Sequence, residues 1–320
     1  MSPEPAKEQT DVGFERLLDA VLARIDREES REPGGGGDSG VCDQGLQRIF
    51  SWQADPLSPG GRGGDDERYQ SARRGGHAAG VDAAVICEPE ENQLCIKQKG
   101  ALRVGVTVRG RMAHGTMPAS GINPVTRAAR FVVAVERLER EDIEIERHGE
   151  DPFLGYPSLT PTVLMGPESG EPQINVIPAS AYVALDIRTA PDQAHERRVG
   201  RLEEILANLE AGDPDFDAPL EVIEERPPTE TPKDEPLVGA MAAAYHRLTG
   251  EEPRYNGVPG ATDGTILHAW AGFPIVTTGA GDREIPHHTD EWVGEEELLA
   301  TCKIYAVTAM YYCYGKDACV

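Results

Sequence analysis

Leu102-Arg103-Val104-Gly105-Val106-Thr107-Val108-Arg109 alternates large apolar residues with charged, small or hydroxylated ones. Successive side chains of a strand point to opposite faces, so this period of two predicts a half-buried strand with its Leu and Val residues inward. A helix is predicted next, across Pro124 to Arg140, with Pro near its start and Ala128, Phe131, Val132, Val135 and Leu138 on one face. Thr160 to Met165 and Tyr182 to Thr189 read as strands. A second amphipathic helix, from about Gln193 to Glu210, would bury Val199, Leu202, Ile205, Leu206 and Leu209. Leu220-Glu221-Val222-Ile223 supplies the last strand. The order over 101–226 is β-α-β-β-α-β, the split βαβ pattern of a small α+β sandwich.

On the C-terminal side, 227–320 reads as α/β. Glu225-Arg226-Pro227-Pro228-Thr229 is a crossover linker, followed by a helix at about 235–248. A Gly260-Ala261-Thr262-Asp263 loop then leads into a short helix through Trp270. A strand at Phe273-Pro274-Ile275-Val276-Thr277 and a helix from about Glu295 to Tyr312 complete this part. On the N-terminal side, 1–100, Phe14 to Glu28 predicts an amphipathic helix and Val81 to Ile86 a short buried strand. Between them the sequence predicts irregular chain over about 30–80. Residues 33–80 hold 13 of the 35 glycines and no run apolar enough for a buried strand.

Composition narrows the function. With 31 Lys and Arg against 55 Asp and Glu, the formal net charge is −24, which argues against nucleic acid as a partner. The carboxylates are spread along the chain, as suits either a halophilic source whose salty cytoplasm screens their repulsion or a merely acidic soluble protein. No apolar run reaches membrane-spanning length and Met1 to Thr10 is polar, so no membrane partner and a cytoplasmic location are expected. The six Cys (42, 87, 95, 302, 313, 319) form no framework and are expected to be reduced thiols.

Several residues are candidates for chemistry. In Pro286-His287-His288-Thr289-Asp290-Glu291, a His with a carboxylate four residues on suits a metal ligand or general base, and either imidazole is open to the role. Glu88, in Cys87-Glu88-Pro89 at a strand end, is a second ligand or an edge residue in water. His114, flanked by Ala113 and Gly115, is either an oxyanion donor or an exposed loop residue. Asn175 is a ligand-binding amide or a turn residue. Arg188 is a bidentate partner for a substrate carboxylate, or part of a sheet-surface ion pair with Asp186.

In fixed order, Cys87-Glu88-Pro89, Lys99-Gly100, Gly110 to Pro118 with Gly121-Ile122-Asn123, Asn175 to Pro178, Asp186-Ile187-Arg188, Thr262-Asp263 and His287 to Glu291 run from about 81 to 312. Together they resemble the zinc-dependent aminoacylase and carboxypeptidase family of the acetylornithine deacetylase, succinyl-diaminopimelate desuccinylase and glutamate carboxypeptidase type. The resemblance implies a zinc-exopeptidase-like α/β catalytic domain with an inserted α+β, ferredoxin-like lid or dimerisation domain at 101–226. It implies two divalent ions, Zn or Co, and a small amide substrate bearing a carboxylate. Glu88 and His287 would bind metal, His114 would reach across a homodimer to the oxyanion, and Asn175 and Arg188 would hold the substrate.

The sequence departs from the family pattern upstream of Glu88. Gly40-Val41-Cys42-Asp43 is the nearest match to the family's Gly-His-x-Asp, which makes Asp43 the candidate metal residue there and puts Val at the ligand His position. Trp52 with Asp55-Pro56-Leu57 resembles the family's segment just after that motif. Gly61-Arg62-Gly63-Gly64-Asp65-Asp66-Glu67 is a compressed counterpart of the later motifs, with Asp66 or Glu67 near the base position and Glu67 the candidate general base. The catalytic domain is therefore expected to be incomplete, shortened or scrambled on its N-terminal side. The expected function is hydrolysis of amides next to a carboxylate, of the N-acyl amino acid deacylase or dipeptidase/carboxypeptidase type. The alternatives are an inactive relic that dimerises or binds a ligand, and an interrupted gene whose true product is longer.

Overall fold

The computed structural model describes residues 81–146, 150–286 and 288–315. The helix expected at Phe14 to Glu28, the irregular stretch, Asp43, Glu67 and His287 lie outside the described residues. In chain order the described residues form β1 (Ala84–Ile86), β2 (Leu94–Gln98), β3 (Gly100–Arg109), β4 (Ala113–His114), α1 (Pro124–Glu146), β5 (Ser158–Met165), β6 (Val176–Ile177) and β7 (Ser180–Thr189). There follow α2 (His195–Gly212), β8 (Leu220–Arg226), β9 (Thr229–Glu230), α3 (Pro236–Thr249), β10 (Tyr255–Val258), α4 (Asp263–Ala271), β11 (Ile275–Thr277) and α5 (Glu295–Tyr314). They fall into two compact units, one of residues 97–229 with 258–265, the other of the described residues in 81–96, 230–257 and 266–315.

The first unit contains the β-α-β-β-α-β pattern. Its four-stranded antiparallel sheet has the order β5-β7-β3-β8. Leu102, Val104, Val106 and Val108 of β3 are fully buried, as the alternation requires, and so are Ala181 and Val183 of β7. They pack with Leu185, Ile187, Leu159 and Phe216, with Ala128, Phe131, Val135 and Leu138 of α1 and with Leu202 and Leu206 of α2. One face of the sheet is thus covered by both helices. Each fully buried Leu or Phe contributes about 1.5–3 kcal/mol.

In the second unit β1 and β11 run parallel, with Ala84 opposite Ile275 and Ile86 opposite Thr277. The sheet order is β1-β11-β2-β10, and β9 pairs β2. Helix α3 begins with Pro236 in its first turn and ends at Gly250, whose φ of 75° is the left-handed cap conformation that glycine adopts freely. Its Ala240 and Ala244 pack against Val307, Met310 and Tyr311 of α5.

Several sequence expectations need correction. The strand expected from Val81 begins at Ala84, and the one expected from Phe273 begins at Ile275. The linker at Glu225 to Thr229 is shorter than expected, because β8 pairs with β3 through Arg226 and β9 begins at Thr229. Nothing in the sequence pattern predicts strands β2 and β10. Leu94, Cys95 and Ile96 of β2 are buried on both faces, so no alternation marks them.

Candidate active site

The parallel pair sets up a cleft. Strands β1 and β11 end side by side at Ile86 and Thr277, and the chain leaves both into loops, Cys87–Asn92 and Thr278–Pro286. Glu88, Gly279, Gly281, Pro286 and Glu291 line a cleft of about 510 Å³, together with Cys87, Trp292, Leu298, Cys302 and Tyr305. In open α/β sheets the carboxyl ends of parallel strands are where ligands bind. The structure therefore brings Glu88 to the loop that carries the predicted His motif, although His287 itself lies outside the described residues. His288 is exposed, and its backbone N–H donates to the Ile285 carbonyl at 2.9 Å.

Close backbone approach explains the Gly-rich character of this loop. A Cβ on Gly279 would lie 2.5 Å from the Glu88 carbonyl oxygen. Gly281 has a φ of 105°, a conformation strained for any side chain. The Gly279 carbonyl accepts from the Glu90 and Asn92 N–H groups at 3.1 and 2.9 Å, and the Gly281 carbonyl accepts from Glu91 N–H at 3.0 Å. From α5, Glu297 Oε1 accepts the Gly281 N–H at 3.0 Å, while Thr301 Oγ1 donates to Asn92 Oδ1 at 2.6 Å. At the cleft wall, Tyr305 Oη donates to the Thr278 carbonyl at 2.5 Å. Burial, and then Cys87 beside it, push the Tyr305 phenol well above its ordinary value.

Behind Glu88 sits an arrangement that sequence reasoning missed. Glu90 is 4% exposed and pairs with Arg283 Nε at 2.6 Å. Cys95 Sγ donates to the same carboxylate oxygen at 3.3 Å. Burial raises the Glu90 carboxyl above its ordinary value, and Arg283 opposes that rise. Burial, and then Glu90, push the Cys95 thiol up. The acidic run Glu88-Pro89-Glu90-Glu91 reads as a solvated surface, and only the lone cation of the Gly-rich loop hinted otherwise.

In the four-stranded unit the structure brings His114 and Asn175 together. β4 pairs antiparallel with β6, His114 lies opposite Val176, and Gly115 N–H donates to the Asn175 carbonyl at 2.7 Å. His114 is exposed, with Nδ1 2.8 Å from Thr116 Oγ1. Asn175 occupies a turn, closed by the Val176 N–H to Gln173 carbonyl bond at 3.1 Å. Arg188 stands on β7 opposite Ala101 and Ser158, and its Nε donates to Asp186 at 2.8 Å. The surface ion pair considered from sequence is thus present, and it occupies the Nε edge of the guanidinium. Lys99 lies near enough for burial, and then the Arg188 charge, to lower its pKa. Thr262 acts as a helix cap, its Oγ1 accepting from Gly264 N–H at 3.1 Å and donating to the buried Gln98 at 2.7 Å.

Among the described residues no three His, Cys, Asp or Glu side chains gather where a metal ion could sit. Glu88 is a single carboxylate at a strand end, so the described residues alone do not make up a two-metal centre. The four described cysteines, Cys87, Cys95, Cys302 and Cys313, are free thiols, as expected.

Residues 96–214 match the peptidase dimerisation domain. The chain is 29% identical over 233 residues to acetylornithine deacetylase from Myxococcus xanthus, covering 73% of this chain and 58% of that protein. It is 26% identical over 294 residues to succinyl-diaminopimelate desuccinylase from Granulibacter bethesdensis, covering 88% and 67% respectively. The chain therefore spans little more than half the length of the first of these relatives. Its fold is similar to that of an M20 family metallo-carboxypeptidase from Sulfolobus solfataricus, with a TM-score of 0.59 at 17% identity over 77% of this chain and 67% of that one. A zinc-exopeptidase-like α/β part with an inserted α+β dimerisation domain accounts for both units, and in sequence the chain is similar to that deacetylase and that desuccinylase.

Proposed function

We propose that this chain is a metal-dependent hydrolase of amide bonds next to a carboxylate, of the N-acyl amino acid deacylase or dipeptidase type. The observation that carries the reading is the cleft at the carboxyl ends of β1 and β11, with Glu88 facing the Gly279–Pro286 loop. The metal ions are two divalent ions, Zn or Co, with Glu88, His287 and Asp43 as ligands and Glu67 as general base. Arg188, held by Asp186 through Nε, offers its Nη edge to a substrate carboxylate, and Asn175 binds the substrate beside His114. The alternative of a non-catalytic relic draws no support from relatives named for deacetylase and desuccinylase activities.

The acting form is a homodimer in which His114 serves the partner's site. The surface that suits this pairing is the outer edge of β5, where Val163, Leu164 and Met165 are 39, 50 and 43% exposed, with Val125 and Val133 exposed on α1. A cytoplasmic, salt-adapted protein is the setting that the net charge of −24 favours.

The test is hydrolysis of a panel of N-acyl amino acids and dipeptides by the full chain, loaded with Zn or Co in molar KCl. Metal content after dialysis is measured alongside. Turnover with two retained ions per chain is the expected result, and Glu88→Gln is expected to lower kcat by at least about 100-fold. No turnover together with no retained metal would overturn the proposal.

A further inference from the structure

Glu88 projects from a loop beyond the end of the sheet ladder, so contacts outside the ladder must fix where its carboxylate lies. The Gly279 and Gly281 carbonyls take three N–H groups of residues 90–92, which ties the two cleft loops together through the backbone. Arg283 adds a side-chain tie at the same place. Its Nε meets Glu90 at 2.6 Å, and its Nη2 donates to the Gly257 carbonyl at 2.6 Å. One guanidinium thus joins the Glu88 loop, the Gly279–Pro286 loop and strand β10.

This arrangement is expensive to build. Glu90 is buried, and the Arg283 guanidinium is the cation that meets its carboxylate. Apolar side chains of the same volume would fill such a space with equal or better stability. A planar fork that engages two acceptors at once fixes direction as well as distance, which an ammonium group cannot do. We propose that the Glu90–Arg283 pair is a latch that positions Glu88 in the cleft, which makes both positioning residues for the reaction. The proposal rests on the hydrolase reading only for its catalytic consequence.

The experiment compares the parent chain with Arg283→Lys, Arg283→Met and the double variant Glu90→Leu/Arg283→Met. Thermal unfolding, amide hydrogen exchange over residues 88–95 and 276–286, and hydrolysis kinetics are recorded for each. Arg283→Met is expected to lower Tm and lose protection together, because it strands a buried charge. The double variant is expected to regain Tm, while its amides at 90–92 exchange at least about tenfold faster than in the parent. Its kcat is expected to fall at least about tenfold, with KM changed less than about threefold. Arg283→Lys, which keeps the charge without the fork, is expected to hold Tm and recover only part of the protection. The latch is overturned if the double variant recovers protection and kcat along with Tm, or if Arg283→Lys matches the parent in both. Exchange reads the latch even in a preparation without turnover, so failure of the hydrolase reading and failure of the latch are separate results.

Discussion

Arg188 sits in a sheet of four paired strands, locked in register with Ala101 on one side and Ser158 on the other. Glu88 sits two residues past a three-residue strand, in a loop whose residues 90–92 are hydrogen-bonded to a Gly-rich loop. The first position is maintained by a core of fully buried Leu, Val and Phe side chains, the second by a handful of polar contacts around a tight backbone crossing. Core burial spreads the holding over many large side chains, whereas a crossing with no room for a Cβ depends on single atoms. The two regions should therefore respond differently to substitution.

The largest stability effect is expected in the sheet. Leu185 is 1% exposed among the α1 and α2 side chains, so Leu185→Ala leaves a cavity and should cost about 2–5 kcal/mol in denaturant unfolding. A loss below about 1 kcal/mol would mean that the layer collapses around the gap and that the core is not the rigid frame described. Arg188 would move with that frame, so binding of a carboxylate substrate should weaken in the same variant.

This contrast also explains what could be read from the sequence. Leu102 to Val108 alternates because only one face of β3 is covered, and α1 and α2 show a helical period for the same reason, so the sandwich was legible throughout. β2 was not legible, because Leu94-Cys95-Ile96 is buried on both faces and too short to separate from a loop. Among the candidate residues, Glu88, His114 and Asn175 stood out by their neighbours in sequence, and the structure joins His114 to Asn175 through β4 and β6. Glu90 and Arg283 escaped notice because burial turns an acidic run into an ion pair, and burial is a property of the fold that no local spacing reports.

A smaller effect is expected at the backbone crossing. Gly279→Ala places a methyl group 2.5 Å from the Glu88 carbonyl oxygen, so one of the two loops must shift. The expected cost is about 1–3 kcal/mol, with amide protection at Glu90 and Asn92 lost, because both donate to the Gly279 carbonyl. Unchanged protection would show that the crossing yields without cost, and the contrast with the sheet would fail.

The smallest effect concerns a polar contact on the sheet unit, and it shows whether such contacts matter where a core already does the holding. Asp213 follows α2 and receives Arg127 Nη2 at 3.0 Å and Arg130 Nη2 at 2.5 Å, both from α1. Those hydrogen bonds, Arg130 first, hold its carboxyl down to about 2. In the unfolded chain the same group titrates near about 3.9, so the folded state binds this proton less readily. The pair's stabilisation is therefore complete above about pH 4 and is lost as pH falls through about 2. Asp213→Asn should lower Tm by about 1–3 °C at pH 7, with the difference narrowing below pH 4 and closing near pH 2. A difference that stays constant from pH 7 to pH 2 would assign the effect to packing of the side chain instead of its charge. A value at pH 7 above that of Gly279→Ala would reverse the ranking, since polar ties would then matter more beside a core than where no core exists.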